Sequence, residues 1–320
     1  GMAVIPALSD FAFAVGDSKI FVNSPNALAG NFEGKCDTAK AEYQSKETGV
    51  YDCVGSFSDI AAKIRTLISI LPSNNSNALS ADIASDDLNR ASDIAQGQAP
   101  ADIFKALSDG GLFVETKADF GGCVVTGFIK LGGATVGVVA LGNEDTVICA
   151  NGAEKAASFV SFCDSFEIPV LSLTNLTGFA ATVDSEKRIA RSLSRLTSAF
   201  ANATVPKVNL ITGKAYGSAY AIANCKALGC DVVYSLPDAK VGMMDAKLAA
   251  SIVCADDKSA DVNAVAREYD NRQNSVASAA ARGYVDRIIS PADTRKYLIA
   301  AFEMLYTKDI SVPYKKHSAK

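Results

Sequence analysis

The segment GVYDCVGSFSDIAAKIRTLISIL, residues 49–71, aligns without a gap on GYVDRIISPADTRKYLIAAFEML, residues 283–305. Gly49 and Gly283, Asp52 and Asp286, Asp59 and Asp293, and Leu71 and Leu305 coincide, and both segments close in the apolar spacing of an amphipathic helix. Upstream, GMAV at Gly1 resembles GSAY at Gly217, and DSKIF at Asp17 resembles DAKVG at Asp238. Two diverged copies of one domain are the economical explanation. The copies are unequal, because strand and helix patterns from Phe120 to Tyr216 precede Gly217 and nothing precedes Gly1. The first copy is therefore expected to lack its front half, as a fragment, through a misread start, or because another polypeptide supplies it.

Along the chain, short β-branched runs alternate with helical patterns. Val136–Leu141, Val170–Leu173, Val208–Ile211 and Val232–Tyr234 read as buried strands. Ala153–Phe166, Ser185–Ala203, Ala219–Leu228 and Ala292–Leu305 read as helices. This alternation predicts a layered α/β fold. Aromatics vanish and Ser, Asn and Asp accumulate between Leu71 and Ile103, which marks a linker. The expected division is a partial amino-terminal domain over residues 1–75, a linker over 76–102 and a carboxyl-terminal domain over 103–320.

Composition narrows the chemistry. The chain has 320 residues, 49% hydrophobic and 21% charged, enough for about two domains of roughly 150 residues. Its single histidine, His317, stands in the terminal stretch VPYKKHSAK. A Ser-His-Asp triad, a Cys-His pair in a pocket and a multi-histidine zinc site are thereby excluded, and no metal is expected in the site. The net charge of −4, with Lys and Arg scattered, argues against nucleic acid as a partner. No run approaches the roughly 18–20 apolar residues of a membrane span. The eight cysteines form no CxxC pair, so buried reduced thiols and a cytoplasmic location are expected.

The most informative local feature is KAYGSAYAIANCKALG, Lys214 to Gly229, where an apolar strand runs into Gly217 and Ser218 and a helix of small residues follows. The first amides of a helix lack intrahelical acceptors and, aided by the helix dipole, can hold a developing oxyanion. Gly217, Ser218 and Ala219 would act through backbone NH groups, although a plain chain reversal reads the same way. The GMAV copy gives Gly1 and Met2 the same potential without a preceding strand. Thr177-Gly178-Phe179 is a second turn, placed to line a pocket. Gly132-Gly133 reads as a hairpin turn, Asp245 as a helix N-cap, and the basic residues of SEKRIARSLSRL as a solvated helix face. Ser218 has no base to activate its hydroxyl, so its amide is favoured over its oxygen.

FGGCVVTGFIKLGGATVGVVA, EKAASFVSFCDSFEIPVLSLTNLTGF, FANATVPKVNLITGKAYGSAYAI, ARGYVDRIISPADTR and the closing KKH resemble, in the family's order, the carboxyltransferase subunits of biotin-dependent acyl-CoA carboxylases and decarboxylases. The resemblance implies crotonase-like domains built of repeated ββα units, one complete and one partial here. It also implies a carboxyl group moving between carboxybiotin and the α-carbon of an acyl-CoA thioester, in a pocket shared by opposed domains of two subunits. Ser218 and Ala219 would then face biotin, and Gly1 and Met2 the thioester. Gly178, Phe179, Tyr216 and Ala221 would line the pocket. The implied partners are a separate biotin carboxyl carrier protein, acyl-CoA, further copies of the chain as a homodimer or larger oligomer, and a membrane decarboxylase subunit. Met2, Ser218 and Asp245 stand where the family usually has Gly, and Thr177 where it has Pro. Two other readings compete: a crotonase-like hydratase, isomerase or thioesterase, for which Glu154 and Asp164 are the available carboxylates, and a non-catalytic assembly subunit.

Overall fold

A computed structural model describes residues 1–31, 35–76, 86–95, 97–143, 146–257 and 259–310. His317 and the closing KKH lie outside the described residues, as do residues 77–85 in the first part of the expected linker and residue 96. The chain opens with α1 (Val4–Ala7), β1 (Phe13–Val15), α2 (Ala41–Lys46), β2 (Cys53–Gly55) and α3 (Phe57–Ile70). After α4 (Pro100–Leu107) come β3 (Phe113–Thr116), β4 (Val124–Leu131), β5 (Ala134–Leu141), β6 (Val147–Ile148) and α5 (Ala150–Ser165). Next are β7 (Val170–Leu176), β8 (Gly178–Phe179), α6 (Val183–Glu186), α7 (Ile189–Asn202), β9 (Lys207–Tyr216) and α8 (Gly217–Ala221). The last group is β10 (Val232–Ser235), β11 (Lys240–Gly242), α9 (Ala246–Val253), α10 (Val262–Tyr269), α11 (Val276–Ala281), β12 (Arg287–Ile288) and α12 (Thr294–Met304).

One sheet organises the molecule, in the order β12-β10-β9-β7-β5-β4-β3, with β11 also on β9. β3, β4 and β5 are antiparallel and joined in part by the Gly132-Gly133 hairpin turn; the rest of the sheet is parallel. Parallel strands are covered on both faces, which is why β7 and β9 are almost continuously buried; the polar Ser172 and Thr174 among their apolar residues donate to Asn209 Oδ1, at 3.0 and 2.9 Å. On one face, α5 and α7 bury Val160, Leu196 and Phe200 against Phe128 and Val139, and Leu67 and Ile70 of α3 join them. On the other, Phe104 and Leu107 of α4 and Leu298 and Phe302 of α12 meet Ile129, Val138 and Leu210. The amino-terminal repeat thus lends its closing helix to the core of the complete one, and Thr135 Oγ donates to the Ile70 carbonyl at 2.6 Å. Among the described residues no helix is long and apolar enough to cross a membrane.

The duplication is written in hydrogen bonds. The Asp52 amide donates to the Ala12 carbonyl while Asp52 Oδ2 accepts from the Ala12 amide, at 2.7 and 2.9 Å. Asp286 does the same with Val233, at 2.8 and 2.7 Å. β1 pairs with β2 in parallel at Phe13–Cys53, as β10 pairs with β12 at Tyr234–Arg287. Ser56 caps α3 through the Asp59 amide, and Ser290 accepts from the Asp293 amide in the same way. Gly49 and Gly283 share a left-handed φ of +67° and +81°.

Two expected helices differ in extent. Ser185–Ala203 is broken at Arg188, whose φ/ψ of −128°/−25° ends one helical turn before α7 begins. Ala219–Leu228 stops at Ala221, because Asn224 takes a left-handed φ of +47° and turns its buried amide onto Ser172 Oγ at 2.9 Å. A separate 3₁₀ turn covers Lys226–Leu228.

Candidate functional site

β9 ends in the turn that sequence singled out. Gly217 has a φ of +54°, and a Cβ there would meet the Met243 carbonyl oxygen at 2.8 Å, so this position needs glycine both for its dihedral and for its space. Ser218 is exposed and Ala219 is 1% exposed. Their amides fall in the first turn of α8 and have no acceptor four residues back within the helix. With α8 ending at Ala221, the helix is too short for a large dipole, and these amides act as local hydrogen-bond donors rather than as the end of a long macrodipole.

α8 sits against β8, which brings Gly178 and Phe179 beside Gly217–Ala221. β8 is itself held by β6, with Val147 opposite Gly178 and Ile148 opposite Phe179. Tyr216 is buried just before the turn, and burial pushes its hydroxyl up to about 12. Ala221 is exposed at the far end of α8. The residues expected on the biotin side therefore form one cluster. Gly1 and Met2 stand apart in the amino-terminal unit. The Gly1 amine donates to the Phe21 and Val22 carbonyls, Met2 is 66% exposed, and α1 begins only at Val4. No hydrogen bond among the described residues joins them to the 178–221 cluster. Ser218 and Asp245, where sequence departs from the family pattern, have separate explanations. The Ser218 side chain faces solvent, and Asp245 caps α9 by accepting from the Lys247 amide at 2.9 Å.

A cavity of about 1140 Å³ among the described residues was not legible beforehand. It opens between the end of α1 and the helices α5 and α7, and its lining includes Lys117, Lys155, Lys187, Arg188, Arg191 and Arg195 against Asp10, Glu47 and Glu154. The basic run of SEKRIARSLSRL, read as a solvated face, supplies four of these cations and was the available signal. Lys155 is nearly buried and donates to the Phe120 and Val124 carbonyls, both at 2.9 Å. Burial pulls its ammonium down to about 8, with Glu115, Cys123 and Asp52 opposing and Lys117 assisting. The unfolded chain keeps that proton up to the ordinary lysine range, so stability rises with pH above 8 as the native state sheds it. Urea unfolding of wild type relative to Lys155→Met should show this difference growing by about 1.5 kcal/mol between pH 8 and 9.5. A pH-independent difference would contradict the assignment.

The two carboxylates available to a hydratase both already accept hydrogen bonds, Glu154 within the basic cavity itself. Glu154 accepts from Arg195 at 2.8 Å and from Ser192 Oγ at 3.0 Å. Asp164 accepts from the Thr204 amide and hydroxyl, at 2.6 and 3.0 Å.

The family described as the carboxyl transferase domain matches residues 1–319. The methylmalonyl-CoA carboxyltransferase 12S subunit of Propionibacterium freudenreichii subsp. shermanii is 34% identical over 99% of this chain and 64% of its own length. The propionyl-CoA carboxylase beta chain of Roseobacter denitrificans is 33% identical over 99% of this chain and 66% of its own. A solved transcarboxylase 12S structure, a hexamer assembly with methylmalonyl-coenzyme A and methylmalonic acid bound, superposes with a TM-score of 0.92 at 33% identity, covering 99% of this chain and 65% of that one. The chain spans about two thirds of the length of the relatives it matches.

Proposed function

This chain belongs to the carboxyl transferase domain family, and from that premise we propose that it moves a carboxyl group between biotin on a separate carrier protein and the α-carbon of an acyl-CoA thioester. The observation that carries this reading is the turn at Gly217, where two amides without intrahelical acceptors lie beside Gly178 and Phe179. Backbone donors fit the ureido carbonyl of biotin, and they need neither the side chain of Ser218 nor that of Asp245, two of the departures at this end of the site, with Thr177 the third. Biotin, when bound, supplies the ureido nitrogen that carries the carboxyl group.

The chain's own residues do the rest. Ser218 and Ala219 hold negative charge on the ureido oxygen as the carboxyl group leaves, and Gly1 and Met2 hold it on the thioester oxygen as the α-carbon becomes nucleophilic. Phe179, Tyr216 and Ala221 form the walls that position the two reactants and exclude water. The basic cavity after α1 suits the phosphates of coenzyme A, since its lining carries six cations against three carboxylates. Donor pairs on separate units call for a second subunit to bring them together, hence a homo-oligomer working in the cytoplasm. The proposed acyl-CoA pairs are methylmalonyl-CoA/propionyl-CoA or malonyl-CoA/acetyl-CoA, with transfer between them and biotin in either direction, and a membrane decarboxylase subunit is a further proposed partner.

The test is to mix the chain, alone and together with a segment equivalent to the further third of its relatives, with methylmalonyl-CoA and free biotin, and to follow the acyl-CoA by mass. Loss of the carboxyl group that requires biotin is the expected result. Turnover without biotin would instead indicate a crotonase-type hydratase, isomerase or thioesterase, and neither turnover nor CoA binding in the longer form a non-catalytic assembly subunit.

A further inference from the structure

Cys123 lies just before β4, and Cys149 is the N-cap of the sixteen-residue α5. Their Sγ atoms are 2.6 Å apart, and the Cys149 amide donates to Cys123 Sγ at 3.1 Å. Cys149 Sγ accepts from the Gly152 amide at 3.3 Å, which completes the cap. Both thiols are half-buried, whereas Cys163, Cys225 and Cys230 are buried. Two sulfurs in contact, one of them at a helix start and both on half-buried residues, form an arrangement that core packing alone does not require.

We propose that Cys123 and Cys149 are a reversible oxidative modification site that takes a peroxide and closes to a disulfide. The contact with Cys123 holds the Cys149 thiol below the ordinary thiol range, with the Gly152 amide assisting against burial, and the same contact together with burial pushes Cys123 up. Cys149 is therefore the attacking thiolate. Its sulfur displaces hydroxide from the peroxide as the O–O bond breaks, giving a sulfenic acid, and the proton that Cys149 had released turns that hydroxide into water. Cys123 sulfur then attacks the sulfenic sulfur. The S–S bond forms, the S–O bond breaks, and the departing hydroxide leaves as water with the Cys123 proton. Two thiols are oxidised and one peroxide is reduced to two waters.

The site has a route to the rest of the molecule. Cys149 follows Ile148, which pairs with Phe179, so closure ties the start of β4 to the strand that supports the Gly178–Phe179 turn. The inference itself does not depend on carboxyl transfer.

The experiment treats the full chain with hydrogen peroxide, blocks free thiols with iodoacetamide and maps tryptic peptides. Cleavage after Lys117, Lys130 and Lys155 places Cys123 and Cys149 on different peptides. The expected product is those two peptides joined, two hydrogens lighter, and separated again by dithiothreitol. Before oxidation, iodoacetamide at pH 6.5 should label Cys149 about tenfold faster than half-buried Cys254. In Cys123→Ser, peroxide should leave Cys149 as a sulfenic acid that dimedone traps. Recovery of both wild-type peptides unjoined, as separate thiols or separate sulfinic acids, overturns the proposal, and this readout does not depend on how the variant folds.

Discussion

Replacing Ala219 with proline is expected to lower biotin-dependent carboxyl transfer by roughly 10²–10³-fold, the usual effect of removing one oxyanion donor. Proline has no amide hydrogen, yet the first turn of a helix is where it is best tolerated, because the lost hydrogen has no intrahelical acceptor there. Fold and chemistry are therefore separable at this position, and circular dichroism of the variant should match wild type. Ser218→Ala serves as the companion. It removes the hydroxyl and keeps the amide, so its rate should stay within about threefold of wild type if the donor is backbone. An Ala219→Pro enzyme with unchanged rate, or a Ser218→Ala enzyme that loses activity, would contradict the assignment of the two amides.

Arg295→Met is expected to give the largest loss of stability, about 3–5 kcal/mol, because it strands a buried carboxylate. Arg295 is 0% exposed. Its guanidinium pairs with Asp109 at 2.5 Å and donates to the Leu107 and Asp87 carbonyls. Asp109 in turn accepts from the Gly132 and Gly133 amides of the β4–β5 hairpin. One side chain thus joins α12, the end of α4, the central hairpin and residues 86–90. Methionine fills most of the volume but leaves these acceptors unsatisfied, and the melting temperature should fall by at least about 6 °C. A second substitution, Asp109→Asn, should recover part of the loss by removing the stranded charge. A shift under about 2 °C in Arg295→Met would show that the pair contributes little.

The repeat could be read from sequence because its anchors are residues with few substitutes. Asp52 and Asp286 each close a two-bond ring with a neighbouring strand, and Gly49 and Gly283 occupy a left-handed conformation. The turn at Gly217 was legible for a similar reason, with a glycine between an apolar strand and small residues. Helix ends were less legible. Asn224 terminates α8 through a tertiary bond to Ser172, which is distant in sequence, and no local propensity reports it. The basic cavity escaped because α5, α7 and the end of α1 meet only in the folded chain, and a run of Lys and Arg looks the same on a solvated face. Arg295 escaped too, because the acceptors that bury it come from residues 87, 107 and 109, distant in sequence.

The most direct measurement of the central claim follows the carboxyl carbon itself. Methylmalonyl-CoA labelled in its free carboxyl group is incubated with the protein, assembled with a segment equivalent to the further third of its relatives, and with biotin; the label on the biotin ureido nitrogen is then trapped by methylation. The account predicts that label appears on biotin in step with unlabelled propionyl-CoA, and that both products disappear together in Ala219→Pro. Propionyl-CoA formed equally fast without biotin, or formed with no label on the biotin ring, would contradict it.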